Sequence, residues 1–312
     1  MTYTPTHRPH LVERAVQAFG GTDALGKVGQ IPPPPASNTA TTAPEELLLS
    51  PLEVPSSPET APAPTVIGWD ALKRAGLVVC ETGPLRSRFS EEISIVQQQL
   101  LMTMKKVELT AERCAKAVLV TSARPGEGKS FTSINVGAGI AAAGAHRVLL
   151  VDADGKLGSL TELLGLSEAP GLRLLAAGKG PLQPASLVLP TAQPRLSFLP
   201  YGTSIKGEPV LPPGPMVAAA ILRLAAALPD HVIILDSPPC LATSDPGTLA
   251  SIVSQVLMVV EAERTQRSEV EAALDLVDAC PILQLVLNRT QLVASDSFGA
   301  YGSYDVYGTH GP

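Results

Sequence analysis

Short apolar runs recur from the middle of the chain onward, and helical patterns separate them. Ala117-Val118-Leu119-Val120-Thr121 is the first, and Val148-Leu149-Leu150-Val151 the second. Leu196 to Leu199, Val232 to Leu235, Val256 to Val260 and Leu283 to Leu287 follow. Each is four or five residues long and rich in Val, Ile or Leu, as strands buried on both faces are. Between them the pattern changes. Phe131 to Ala143, Met216 to Leu228 and Ser268 to Asp278 read as helices, and a longer helix is predicted over Ser90 to Glu108. Strands that alternate with helices predict an α/β domain: a mostly parallel sheet flanked by helices. Ligands of such sheets bind at the carboxyl ends of the strands.

The first eighty residues do not follow this pattern. Leu11, Val12, Ala15, Val16 and Phe19 share one helical face, and Trp69 to Leu77 predicts another short helix. Ten prolines fall between Pro32 and Pro64, four of them consecutive, among Ser, Thr, Ala and Glu. Such a stretch buries too little apolar surface to offset its ordering entropy and reads as a disordered linker. The expected organisation is an N-terminal arm over 1–83, the α/β domain over 84–290 and a flexible Tyr/Gly tail over 291–312.

Composition narrows the class. Hydrophobic residues make up 45% of the chain, enough for a sizeable core. The net charge of −6 without a long basic run disfavours nucleic-acid binding. Cys80, Cys114, Cys240 and Cys280 are far apart and show no metal or disulfide spacing, which fits a reducing cytoplasm. No signal peptide or direct membrane span is expected, so membrane association is expected through a partner.

The chemistry begins at Ala123-Arg124-Pro125-Gly126-Glu127-Gly128-Lys129-Ser130, which fits the phosphate-binding loop between a strand and a helix. Glycines let backbone N–H groups point at phosphate oxygens, and the helix N-terminus adds its positive end. Lys129 is expected on the β- and γ-phosphates and Ser130 on Mg²⁺. Two strands then end in acids: Asp152-Ala153-Asp154 and Asp236-Ser237-Pro238-Pro239. Hard oxygen donors beside a phosphate loop suit Mg²⁺. Asp236 fits the Walker B role. Of Asp152 and Asp154, one is expected to hold Mg²⁺ or its water and the other to accept a proton from the attacking hydroxyl. A lone acid at a strand end more often forms a turn or caps a helix.

Together these three segments resemble the Walker A, A′ and B motifs of bacterial tyrosine kinases, P-loop enzymes related to the MinD/ParA ATPases. The likeness covers about residues 84 to 290 and is greatest to exopolysaccharide autokinases of the exosortase-associated type. Arg86-Ser87-Arg88 followed by Glu91-Glu92, the strand end Leu285-Val286-Leu287-Asn288 and the opening Leu11 to Val16 add to it. The resemblance implies an ATP- and Mg²⁺-dependent tyrosine autokinase. It places Arg124, Pro125, Gly126, Glu127, Gly128, Lys129, Ser130, Phe131 and Asn288 around the nucleotide. It implies metal contacts from Ser130, Asp152 and Asp236, and catalysis by Lys129, Asp152 and Asp154. Phosphoacceptors would be Tyr301, Tyr304 and Tyr307, phosphorylated between subunits of a homo-oligomer. The implied partner is a membrane-embedded polysaccharide copolymerase or chain-length regulator, with the protein cytoplasmic beneath it.

The chain departs from this family at two points. Ser94 and Gln97 to Gln99 stand where the oligomerisation helix usually carries spaced arginines. Gly155-Lys156-Leu157-Gly158 replaces a basic residue followed by proline. Arg124 occupies the place of the signature lysine of MinD-type ATPases and otherwise reads as an exposed loop arginine. A ParA-type ATPase switch and a nucleotide-binding scaffold for the copolymerase are the competing readings.

Overall fold

The computed structural model describes residues 66–78, 87–106, 113–179, 183–203 and 212–290. The chain divides into two compact units, Met1–Thr60 and Ala61–Pro312, and every described residue belongs to the second. The expected helix Leu11 to Phe19, the proline-rich stretch and the three C-terminal tyrosines lie outside the described residues.

Seven strands form one sheet: β1 Cys114–Ser122, β2 Arg147–Asp152, β3 Leu189–Pro190, β4 Leu196–Leu199, β5 His231–Asp236, β6 Val253–Glu261 and β7 Leu283–Asn288. Their order is β3-β4-β2-β5-β1-β6-β7. All neighbours run parallel except β3, which is antiparallel to β4. The mostly parallel sheet expected from the apolar runs is thus present. Strand β3 had no signal, because two residues ending in proline make no periodic run.

Alternation along each strand divides the core in two. Leu119, Leu149, Val151, Ile233, Leu235, Val256 and Met258 face one side. Val118, Val120, Val148, Leu150, Val232, Ile234, Leu257 and Val259 face the other. The period of two makes this partition unavoidable once the strands pair. Helices cover both faces, so both sets are apolar.

The second face carries α1 (Trp69–Arg74), α2 (Arg88–Lys106) and α3 (Lys129–Ala142). Ile67, Leu72, Ala75 and Leu77 are buried there, and Ile67 bridges Thr191. The packed part of the chain therefore starts before residue 84, the boundary drawn from sequence. The Asn135 side chain ties this segment to α3: its amide N–H donates to Gly76 O at 2.8 Å, and its Oδ1 accepts from Val78 N–H at 2.8 Å. Phe89 of α2 packs against Phe131, with ring centroids 5.4 Å apart and the planes tilted by 47°.

The short α4 (Leu160–Leu163) also packs on the second face through Leu160, while α5 (Leu172–Ala176), α6 (Gly214–Ala227), α7 (Asp245–Ala250) and α8 (Arg267–Leu276) lie on the first. A 3₁₀ turn spans Pro184–Leu187. The capping box of α8, in which Gln266 and Glu269 each satisfy the other's backbone N–H, starts that helix cleanly. No helix among the described residues is long and apolar enough to cross a membrane.

Candidate functional site

The loop from Ala123 to Gly128 joins β1 to α3 at the carboxyl end of the sheet. Its shape depends on two left-handed glycines, Gly126 at φ 87° and Gly128 at φ 97°. At Gly128 a Cβ atom would also lie 2.2 Å from Asn288 Nδ2. Only glycine meets both conditions.

One cavity of about 310 Å³ opens here. Pro125, Gly126, Gly128, Lys129, Ser130, Phe131 and Asp154 line it, together with Lys156, Leu157, Gly158 and Pro239. Seven of the residues singled out in the sequence thus converge. Asp236 lies fully buried close to Lys129, whose charge acts on it.

Lys129 Nζ donates to Asp154 Oδ2 at 2.5 Å and to Ser130 Oγ at 3.2 Å. Burial alone would pull the Lys129 pKa down. The carboxylates of Asp236, Asp154 and Asp152 outweigh that and hold it above the usual lysine value. Asp236 is the opposite case. Burial pushes its carboxyl up to about 7, against the pull of Lys129 and with the help of Asp152. Its Oδ1 accepts from Ser133 Oγ at 3.1 Å, while Oδ2 is buried without a hydrogen-bond partner. Asp154 Oδ1 is likewise buried and unpartnered.

Asp152 is spent differently. Its Oδ1 accepts from the N–H groups of Asp154 and Gly155 at 3.0 and 3.5 Å, and its Oδ2 from Thr161 N–H at 2.8 Å. It shapes the turn after β2 and caps the first turn of α4, the role a strand-end acid most often has. The oxygens left without partners belong to Asp154 and Asp236.

Three other residues expected around the nucleotide brace the loop from behind. The Glu127 side chain is buried beneath it. Its carboxylate accepts from Arg124 N–H at 2.6 Å, from Glu261 N–H at 3.3 Å and from the Thr265 hydroxyl. Asn288 Nδ2 donates to Glu127 O at 2.8 Å. Arg124 is exposed and lies 3.5 Å from Glu269. The braces Thr265 and Glu261 had no sequence signal. Lys156, Leu157, Gly158 and Pro239 reach the cavity because they follow the two acidic motifs directly. Pro239 is fixed by its neighbours: Thr121 Oγ1 donates to Pro238 O at 2.7 Å, and Cys240 N–H to Ser122 O at 2.8 Å.

A hard divalent cation fits this donor set. The Ser130 hydroxyl and the unpartnered oxygens of Asp154 and Asp236 are all oxygen donors, two of them buried and unsatisfied. Among the described residues no three acids, histidines or cysteines gather closely enough to hold a metal alone. Phosphate oxygens and water would complete the shell, as is usual for Mg²⁺.

The ParA family model, described as the NUBPL iron-transfer P-loop NTPase, matches residues 113–309. The chain belongs to this family of P-loop NTPases. Several of its relatives carry kinase names. It is 35% identical over 153 residues to the putative tyrosine-protein kinase EpsB of Ralstonia nicotianae, covering 49% of this chain and 20% of that protein. It is 26% identical over 224 residues to the tyrosine-protein kinase YwqD of Bacillus subtilis, covering 69% of this chain and 90% of that protein. The chain thus spans a fifth of one relative and nearly all of the other. The kinase domain of the Escherichia coli tyrosine kinase ETK has the same fold, with a TM-score of 0.52 and 24% identity over 65% of this chain and 76% of that one. The likeness to bacterial tyrosine kinases read from three motifs is borne out across the P-loop domain.

Proposed function

We propose that the protein is an ATP-dependent tyrosine autokinase that regulates exopolysaccharide biosynthesis or export. The observation that carries this reading is the convergence of Lys129, Ser130 and Asp154 on one cavity whose buried carboxylate oxygens lack partners. Three of the chain's five tyrosines, Tyr301, Tyr304 and Tyr307, fall in its last twelve residues. The kinase names of the relatives add to this.

In the proposed reaction the loop N–H groups and Lys129 hold the β- and γ-phosphates. Ser130, Asp236 and Asp154 would hold Mg²⁺ or its waters. When bound, the ion neutralises charge on the β- and γ-oxygens. A tyrosine oxygen forms a bond to the γ-phosphorus, and the bond from that phosphorus to the β–γ bridging oxygen breaks. ADP leaves with that electron pair. The phenolic proton passes to Asp154, and Asp152 fixes the turn that aims it. Lys129, held by Asp154 at 2.5 Å, turns its ammonium from that carboxylate to the γ-phosphate and keeps its proton.

The inferred partner is a membrane-embedded polysaccharide copolymerase, with this chain on the cytoplasmic side. The test is incubation of the purified protein with ATP and Mg²⁺, with and without that partner, and mapping of phosphotyrosine by mass spectrometry. Label on Tyr301, Tyr304 and Tyr307 that disappears in the triple Phe variant supports the reading; a wild-type protein that gains no phosphotyrosine refutes it.

A second reading, a ParA-type ATPase switch, draws on Arg124. That residue occupies the signature-lysine position, and its half-exposed guanidinium lies 3.5 Å from Glu269. ATP-dependent dimerisation with phosphate release and no phosphotyrosine would favour it.

A further inference from the structure

The sheet opens a second time, at the end opposite the nucleotide cavity. Strands β1 and β5 pair from Ala117 with Ile233 onward, although β1 begins at Cys114 and β5 at His231. On its other side β1 is irregular over the same residues, and its register with β6 shifts between Cys114 and Val118. Breaks of this kind re-aim side chains and often border binding sites. A cavity of about 320 Å³ lies at this break, a size that suits a small molecule.

Its walls are of two kinds. Leu222, Ala225 and Leu228, from α6 and its end, form an apolar side together with Ile233 of β5. Arg113, Lys116 and His231 form the polar side, and no acid lines the cavity. The two cations spend their hydrogen bonds on neutral carbonyls. Arg113 Nη1 donates to Ala250 O and Val253 O at 3.0 and 3.1 Å, and its Nη2 to Ala279 O at 2.6 Å. Lys116 Nζ donates to Pro229 O at 2.8 Å and keeps two further N–H groups. Among the described residues neither cation is in an ion pair. The end of α6 does not need them either: Leu228 N–H answers Leu224 O and Ala225 O, and His231 N–H answers Leu228 O.

His231 adds an unmet hydrogen-bonding group. Its Nδ1 is buried without a partner, which costs free energy unless a bound molecule supplies one. Burial, with Arg147 and Lys116 nearby, holds its pKa below the usual value against the pull of Asp230, so the ring is neutral at pH 7. Arg147, its neighbour across the β2–β5 ladder, brings a third positive charge to this end of the sheet.

We propose that this cavity is a second ligand site and takes a small amphiphilic carboxylate. The apolar body would lie on Leu222, Ala225, Leu228 and Ile233, and the carboxylate would meet Lys116, Arg113 and the His231 ring. An apolar molecule alone would leave the cations unanswered, and a simple inorganic ion would leave the apolar wall wet. Strand β5 has six residues from His231 to Asp236, so about 17 Å separates this site from the Walker B acid at about 3.3 Å per residue. The site is distinct from the nucleotide cavity, and the proposal does not rest on the kinase reading.

The experiment is calorimetric titration of the full chain with sodium octanoate, octanamide and inorganic phosphate. Octanamide keeps the apolar body and loses the charge; phosphate keeps charge and loses the body. Each titration is repeated with a saturating non-hydrolysable ATP analogue and Mg²⁺. Two variants are compared, with thermal melts to confirm folding. Lys116→Glu reverses the charge at an exposed residue, and Ala226→Trp obstructs the cavity from another exposed residue that lines it. The expected octanoate Kd is about 1 mM or below, within what ten heavy atoms supply. Octanamide and phosphate should bind at least about tenfold more weakly, both variants should lose about tenfold or more, and the ATP analogue should change nothing beyond about twofold. Octanamide binding as well as octanoate would leave only an apolar cleft, and phosphate binding as well would leave only a cationic patch. Undiminished binding in both folded variants would place octanoate elsewhere on the chain. Competition with the ATP analogue would place it in the nucleotide cavity. Each of these results, or no binding by wild type, overturns the proposal.

Discussion

Lys129 Nζ lies 2.5 Å from Asp154 Oδ2, so the cation that should meet phosphate is already held by a carboxylate of the same cavity. Nucleotide and Asp154 compete for one ammonium. Lys129→Met should lower phosphotransfer by about 10²–10³-fold, the usual loss when one charge-stabilising donor of the transition state is removed. Asp154→Asn should behave differently. It frees Lys129, so affinity for ATP alone is kept or rises, while affinity for Mg²⁺-ATP falls with the lost metal oxygen and transfer falls because the proton acceptor is gone. Calorimetric ATP titration beside the labelling rate separates the two. Equal loss of affinity in both variants would break the competition argument.

The second expectation concerns Asp236. Its pKa in the folded protein, about 7, is above the ordinary value of 3.8. The folded state therefore binds the proton more tightly than the unfolded state. Its effect on stability is favourable at low pH and is lost as pH rises from about 4 through about 7. Asp236→Asn removes the charge that burial penalises. The nucleotide-free variant should melt higher than wild type at pH 8, by about 2–4 °C for each kcal/mol relieved, and gain nothing at pH 4. The same change should weaken Mg²⁺-ATP binding more than binding of ATP alone. Thermal melts at the two pH values, with titrations with and without Mg²⁺, check both halves.

Glu127 supplies a third. Its carboxylate answers three donors, Arg124 N–H, Glu261 N–H and the Thr265 hydroxyl. Glu127→Ala leaves them without an acceptor beneath the loop, at about 1–3 kcal/mol for each donor that water cannot reach. The expected result is a raised KM for ATP with a smaller change in kcat, because the loop that positions phosphate is loosened. Glu127→Gln keeps one acceptor and should recover most of the affinity. A kcat-only defect in both variants would instead assign Glu127 to the chemical step.

How far this was legible from sequence depends on what each residue answers to. Val118 to Val120 and Val148 to Val151 read as buried strands because both of their faces meet apolar neighbours, and that pattern is local. Leu160–Leu163, Leu172–Ala176 and Asp245–Ala250 were not foreseen, because four to six residues give the helical period too little room. In the site, Lys129, Ser130 and Asp236 were legible because phosphate and metal chemistry fix their spacing from the strand ends. Glu127 was read as part of the nucleotide shell from its place in the motif. Its direction depends on Thr265, 138 residues away, which no motif reports. Asp152 shows the same limit from the other side. Its chemistry suits a metal, yet both oxygens go to N–H groups of the turn it creates.

Gly128 and Asn288 give the last expectation. Gly128 sits at φ 97°, and a Cβ there would be 2.2 Å from Asn288 Nδ2. Two separable costs therefore burden Gly128→Ala. One is the left-handed backbone, about 1–2 kcal/mol for a residue with a Cβ. The other is the collision with an amide that is itself held by Glu127 O at 2.8 Å. Asn288→Ala alone removes that amide and should weaken nucleotide binding modestly by loosening the loop. In the double variant the collision is gone and only the backbone cost remains. Its ATP affinity should then exceed the value expected from adding the two single losses, by a coupling of about 0.5–3 kcal/mol. Strict additivity would mean that the loop moves clear of Asn288 when the methyl is added, and that the contact between β7 and the phosphate loop does not set the loop's shape.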